Sequence, residues 1–125
     1  MFLLDTNIFL EILLGQAKAA SCKKFMIDNA SNLIVSDYTI HSIGIALFKL
    51  ARPADFKTFL DDIRPAFNIR TVPTTHLEEV IDANKLYGLD FDDAYQVAVA
   101  KATGASIVTM DQHFSRVKNI PVIFL

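Results

Sequence analysis

Three aspartates stand where this chain could do chemistry. Asp5 closes the apolar run Met1-Phe2-Leu3-Leu4, Asp93 lies in Phe91-Asp92-Asp93-Ala94, and Asp111 closes Ile107-Val108-Thr109-Met110. Carboxylates crowded together repel unless a cation neutralises them or their pKa values rise. Hard divalent cations such as Mg²⁺ or Mn²⁺ prefer oxygen ligands of this kind, with water and substrate phosphate completing the shell. A cation held there could polarise a phosphodiester oxygen and activate a water for in-line attack. Each acid alone has a plainer explanation. Asp5 and Asp111 can cap the helix or turn that follows, and Asp93 with Gln96 has capping-box spacing with Asp in place of Ser or Thr. It is the set of three, at three separate element ends, that points to a metal.

Other chemistries find little support. His41, His76 and His113 are scattered and show no zinc spacing. There is no Gly-rich phosphate loop, and neither Ser36 nor Ser42 sits in a nucleophile-elbow pattern. A phosphoryl-receiver domain would also gather acids at strand ends. Against it, Asp5-Thr6-Asn7 lacks a second aspartate, and no strand-end lysine stands near the final strand.

The elements that must position these acids are legible from the apolar pattern. Residues 1–4 read as a buried strand delivering Asp5 to the crevice at the strand carboxyl ends, where open α/β sheets bind ligands. Asn7 is the expected cap of a helix over Ile8–Leu14, stopped by Gly15. A second helix is expected over Ala17–Ala30, with Ala20, Phe25 and Met26 inward and Lys23 and Lys24 outward. Leu33–Val35 forms a second strand, and Ser36-Asp37 opens a long helix with Ile40, Ile43, Leu47 and Leu50 at helical spacing. Ile45 and Phe48 lie off that stripe. Pro53 starts the next helix, which Pro65 should end. A third strand falls within Phe67–Val72. Thr75-His76-Leu77-Glu78 has capping-box spacing and opens a helix closed by Gly88. Phe91–Thr103 is helical with Gly104 as its stop, Ile107–Thr109 is a fourth strand, and Pro121–Leu125 supplies a fifth. Strands alternating with helices imply an α/β fold built on a parallel sheet.

Composition agrees with a packed core. Hydrophobic residues make up 52% of 125 residues and charged ones 21%, and the formal net charge of −2 argues against a strongly basic nucleic-acid coat. Lys23, Lys24, Lys101, Arg116 and Lys118 are the candidates for scattered phosphate contacts. The single cysteine, Cys22, can form no internal disulfide and fits a reducing cytosol. No stretch has the length of a signal peptide or membrane span, so a cytoplasmic location is expected.

Leu3-Leu4-Asp5-Thr6-Asn7, Phe91-Asp92-Asp93-Ala94 and Ile107-Val108-Thr109-Met110-Asp111-Gln112-His113-Phe114 resemble, in this order and spacing, the motifs of the PIN-domain family. The resemblance covers essentially the whole chain as a single domain, residues 1–125, in the size of small VapC-type toxins. It implies a three-layer α/β/α fold around a mostly parallel five-stranded sheet. It also implies Mg²⁺- or Mn²⁺-dependent ribonuclease activity on RNA, an antitoxin partner and a homodimer. Carried over by position, Asp5, Asp93 and Asp111 would direct the metal, with Asn7 and Thr109 supporting Asp5 and Asp111 by hydrogen bonds.

One family acid is absent. Where the pattern has Thr-hydrophobic-Ala-Glu, this chain reads Thr39-Ile40-His41-Ser42, so Ser42 occupies the glutamate position. A hydroxyl cannot replace a carboxylate as a strong ligand, though it can hold a metal-bound water. Asp92 and Glu11 are the substitutes on offer, Asp92 being favoured because it adjoins Asp93. The departure raises the alternative of a PIN-fold module weakened in catalysis that acts by binding RNA or a protein. The broad apolar cover of Asn7–Leu14 and Asp37–Leu50 leads to an expectation of self-association or antitoxin binding.

Overall fold

A computed structural model describes all of residues 1–125. Five short strands form one sheet: β1 (Phe2–Leu4), β2 (Leu33–Ser36), β3 (Asn68–Arg70), β4 (Ser106–Thr109) and β5 (Val122–Phe124). Their order is β3-β2-β1-β4-β5, and every pairing is parallel, so the sheet is wholly rather than mostly parallel. Six helices cover it: α1 (Thr6–Leu13), α2 (Ala19–Asp28), α3 (Asp37–Lys49), α4 (Pro53–Ala66), α5 (Glu78–Tyr87) and α6 (Phe91–Thr103).

Side chains of a strand alternate between faces, and the central strands use both. Leu3, Ile34 and Ile107 face α5 and α6 in one core, while Leu4, Leu33, Val35 and Val108 face α1 to α4 in the other. Leu3, Leu4, Ile107 and Val108 are fully buried. Burying each contributes about 1.5–3 kcal/mol. That is why strands this short hold their register. The chain passes from β1 to β2 and β3 on one side, then returns to β4 and β5 on the other, so strand order reverses between β1 and β4. The crevice above that reversal lies directly beyond Leu4 and Thr109.

Local structure differs from the sequence pattern in several places. Asp5, not Asn7, is the cap of α1, because its side chain accepts from the Thr6 N–H (2.8 Å). In α2 the buried position is Cys22, while Ala20 is exposed and Phe25 and Met26 are half-buried. Pro65 does not end α4, which runs on to Ala66. The Thr75–Glu78 capping box does not form; residues Thr74–His76 make a 3-10 turn, and α5 starts at Glu78 without a side-chain cap. Gly88 and Gly104 do close α5 and α6, at φ of +64° and +71°, a left-handed conformation that a Cβ would disfavour. No helix is long and apolar enough to cross a membrane.

The two helices with excess apolar surface divide. α1 is covered within the chain: Ile8 and Phe9 are buried, and Leu10, Ile12 and Leu13 are half-buried. α3 leaves Ile45 and Phe48 open, at 58% and 63% exposure, and Leu50, just past its end, is 52% exposed and does not join the buried stripe of Ile43 and Leu47.

Candidate functional site

Leu4 ends β1 in the core, and the chain emerges into extended geometry at Asp5 (φ −75°, ψ 157°) before turning into α1. This leaves the Asp5 carboxylate 7% exposed, at the floor of the crevice. Both its oxygens are occupied. Oδ1 accepts from the Thr6 N–H (2.8 Å) and Gln96 Nε2 (3.3 Å). Oδ2 accepts from Asn7 Nδ2 (3.0 Å) and from the Thr109 hydroxyl (2.8 Å). Burial raises the Asp5 pKa most; the bonds from Thr109, Thr6 and Gln96 pull it back, and the Asp111 charge raises it further.

Thr109 is the hinge between two of the acids. While its hydroxyl donates to Asp5, the same oxygen accepts from the Asp111 N–H (2.9 Å) and from Asn7 Nδ2 (3.2 Å). Asn7 closes the ring by accepting from the Met110 N–H (3.2 Å). The pairing of β1 with β4 brings these residues together across more than a hundred positions. Asp111 also caps the 3-10 turn Gln112–Arg116 by accepting from the His113 N–H (2.9 Å).

Asp93 enters from the first turn of α6. Asp90, not Asp93, precedes that helix as its cap residue, so the Asp93–Gln96 capping box is not what holds either side chain. Asp93 is pushed up to about 7, first by burial and then by the charges of Asp92, Asp5 and Asp111, with His113 opposing. Mutual repulsion of this kind is relieved by a cation or by a proton.

These residues share one cleft of about 220 Å³. Asp5, Asn7, Asp93 and Asp111 line it, as do Asp92 and Ser42. The structure thus brings together every acid singled out from the sequence except Glu11. The Glu11 carboxylate is buried under the α1–α2 turn, where Oε1 accepts from the Lys18 N–H (2.7 Å), and it cannot substitute for the acid absent at Ser42. None of the five basic candidates lines the cleft. Arg116 comes nearest: it shares an adjoining hollow with Asp93 and His113, and its Nη1 donates to the Gly88 carbonyl (3.1 Å).

Two residues escaped the sequence pattern. His113 places Nδ1 3.3 Å from Asp111 Oδ1 and 4.0 Å from Asp93 Oδ2. With these acids it forms a group whose ligand atoms all lie within 4.8 Å of one another. Its spacing matches no paired-histidine pattern; its place two residues after Asp111 in a tight turn is the signal the sequence carries. Gln96 is the other, a polar residue on a helix stretch buried from Ala94 to Ala100. The donor set is carboxylate oxygen with one imidazole, and the repulsion at Asp93 is of the sort a hard divalent cation removes, so the residues fit such a metal.

A parallel α/β/α sandwich with acids converging at the strand-order reversal defines a recognisable class. A PIN domain model matches residues 2–120, and the chain belongs to the PIN-domain family. No curated protein matches it. Among solved structures, it is similar to VapBC2 from Rickettsia felis bound to a DNA fragment from their promoter, with 16% identity, TM-score 0.82, and 99% of this chain and 98% of that one covered. It is similar also to VapC20 from Mycobacterium tuberculosis, a sarcin-ricin loop cleaving toxin, with 16% identity, TM-score 0.77, and 92% and 93% covered. PAE2754 from Pyrobaculum aerophilum shares 28% identity at TM-score 0.69, with 95% and 87% covered.

Proposed function

We propose that this chain is a metal-dependent endoribonuclease that hydrolyses RNA phosphodiester bonds as the toxin of a toxin–antitoxin pair. The observation that carries this reading is the convergence of Asp5, Asp93 and Asp111 on one cleft, with Asp93 lifted to about 7 first by burial and then by its neighbours' charge. Membership of the PIN family and the likeness to VapBC toxin–antitoxin structures support it.

Asp5, Asp93 and Asp111 would hold Mg²⁺ or Mn²⁺, with Asp92 and His113 Nδ1 at its rim. Such a cation, when bound, supplies Lewis-acid polarisation of a phosphoryl oxygen and activation of a water. The chain's own contribution is positioning. Asn7 and Thr109 hold Asp5 Oδ2 against rotation, and Thr109 fixes the backbone of Asp111 to the same point. Supporting partners of this kind orient a ligand and sharpen its affinity. Ser42 offers a hydroxyl at the cleft wall for a water or a phosphate oxygen.

The test is cleavage of a mixed RNA pool in Mg²⁺ or Mn²⁺ by wild type, Asp5→Asn and Asp93→Asn. We expect wild-type cleavage and loss to background in both variants. Equal cleavage by all three, or none by any at every metal concentration, would refute the catalytic reading.

Ser42 favours a second reading, a PIN module weakened in catalysis that binds RNA or a protein partner. Calorimetric titration with Mn²⁺ separates the two: a site abolished by Asp5→Asn argues against a dead module. The exposed Ile45 and Phe48 on α3, with Leu50 just beyond its end, support an antitoxin or homodimer contact. Light scattering is expected to give a dimer mass for wild type and a monomer mass for Phe48→Glu; a concentrated wild-type monomer would count against self-association.

A further inference from the structure

Gln96 is buried to 2% exposure where β1, α3 and α6 meet, and its Oε1 is the one buried side-chain nitrogen or oxygen without a hydrogen-bond partner. Its Nε2 donates to the Thr39 hydroxyl (2.8 Å) and, more weakly, to Asp5 Oδ1 (3.3 Å). Thr39 is itself wholly buried, contacting Ser36 Oγ (3.3 Å) and Thr6 Oγ1 (3.1 Å). It lies three residues before Ser42, on the same side of α3. Gln96 therefore reaches the cleft wall beside the position that lacks an acid.

A carboxylate presents about four lone-pair directions to its surroundings. Asp5 has all of them taken, by Thr6, Gln96, Asn7 and Thr109. A cation that binds Asp5 directly must displace one donor, and the bond from Gln96 is the longest of the set. The terminal torsion of a glutamine is broad and nearly two-fold, so a half-turn exchanges Nε2 and Oε1 without moving the backbone. After that turn Oε1 would face the Thr39 hydroxyl, which can donate to it, and Asp5 Oδ1, which would repel it. A bound cation would offset that repulsion and make the arrangement favourable.

We propose that Gln96 is a cation-responsive oxygen ligand: its amide braces Asp5 in the metal-free protein, then turns to present Oε1 to the cation, supplying the donor that Ser42 does not. This rests on the cation reading of the cleft made above. The amide supplies oxygen without charge, so the site would be weaker than one with four acids and would release its cation more readily.

The experiment is calorimetric titration of the full chain with Mn²⁺, for wild type, Asp5→Asn, Gln96→Leu and Gln96→Glu, with a metal-free melt of each. Gln96→Leu should bind Mn²⁺ about tenfold or more weakly while still melting cooperatively, and Gln96→Glu should bind more tightly than wild type. In parallel, the side-chain amide proton resonances of Gln96 in wild type should move on saturation with Mg²⁺. This second measurement decides the matter if Gln96→Leu does not fold. Equal Mn²⁺ affinity in wild type and Gln96→Leu, or unmoved Gln96 resonances at saturating Mg²⁺, overturns the proposal. If those results come with an Asp5-dependent Mn²⁺ site, the cation reading stands and only the role of Gln96 falls. If wild type shows no Asp5-dependent site, both fall.

Discussion

The two walls of the cleft are built on opposite principles. On the β1/β4 side, Asp5 is buried yet meets four donors, and Thr109 ties it to Asp111. On the α6 side, Asp93 stands among Asp92, Asp5 and Asp111, no hydrogen bond offsets its burial, and the His113 imidazole lies 4.0 Å away. One wall has its charge satisfied by the fold; the other leaves charge unsatisfied. The contrast teaches how a small domain can crowd acids into one cleft and still fold. It anchors one carboxylate in the core and keeps another at the rim, where a proton relieves the repulsion.

The largest way to break this contrast is Thr109→Val. It preserves shape, removes the hydroxyl, and leaves buried Asp5 Oδ2 with Asn7 Nδ2 as its one remaining donor and the Asp111 N–H without its acceptor. A stability loss of about 2–3 kcal/mol in urea denaturation is expected, with Mn²⁺ affinity lower by about 10–100-fold. Asp92→Asn, on the other wall, should instead stabilise the metal-free protein, because it removes repulsion and breaks no bond. A loss from Asp92→Asn comparable to that from Thr109→Val would erase the distinction.

Ser42→Glu should sharpen it by adding charge to the cleft. Tighter Mn²⁺ binding, by about tenfold or more if the acid becomes a ligand, is expected together with a lower metal-free melting temperature. Unchanged affinity would show that position 42 does not face the cation.

The smallest effect expected is on pH dependence. Asp93 has a folded pKa raised from 3.8 to about 7, and Asp5 is raised too. The fold therefore favours their protonated forms. The stability they contribute is fully present below the ordinary carboxylate value and is lost as pH climbs towards 7. The metal-free melting temperature should fall across that window, and Asp93→Asn or saturating Mg²⁺ should flatten the slope. A metal-free protein that instead gains stability from pH 4 to 7 through the same groups would contradict the repulsion at Asp93.

Much of this was legible from residue order. Leu3-Leu4 followed by Asp5 could hardly be anything but a buried strand with an acid at its exit. Ile107-Val108-Thr109 before Asp111 repeated the signal, and Gly88 and Gly104 marked helix ends through a backbone conformation few other residues accept. Ser42 in place of the expected acid was visible without coordinates. The misassignments came where two local explanations competed. Asn7 and Asp5 are both good caps, and the side chain that kept the role was the one whose neighbour N–H lay within reach. Thr75 had capping-box spacing, but a 3-10 turn took its residues.

What residue order alone established is the set of parts: the strands, their exits, the acids and the missing one. Which parts meet was settled by packing. Asp5 finds Thr109 because β1 pairs with β4, Glu11 leaves the cleft because a turn needs its carboxylate, and Gln96 enters because α6 crosses beside Thr39. Periodicity reports which way a side chain faces within its own element. It is silent on which distant element lies there, because that choice rests on the summed burial of both cores.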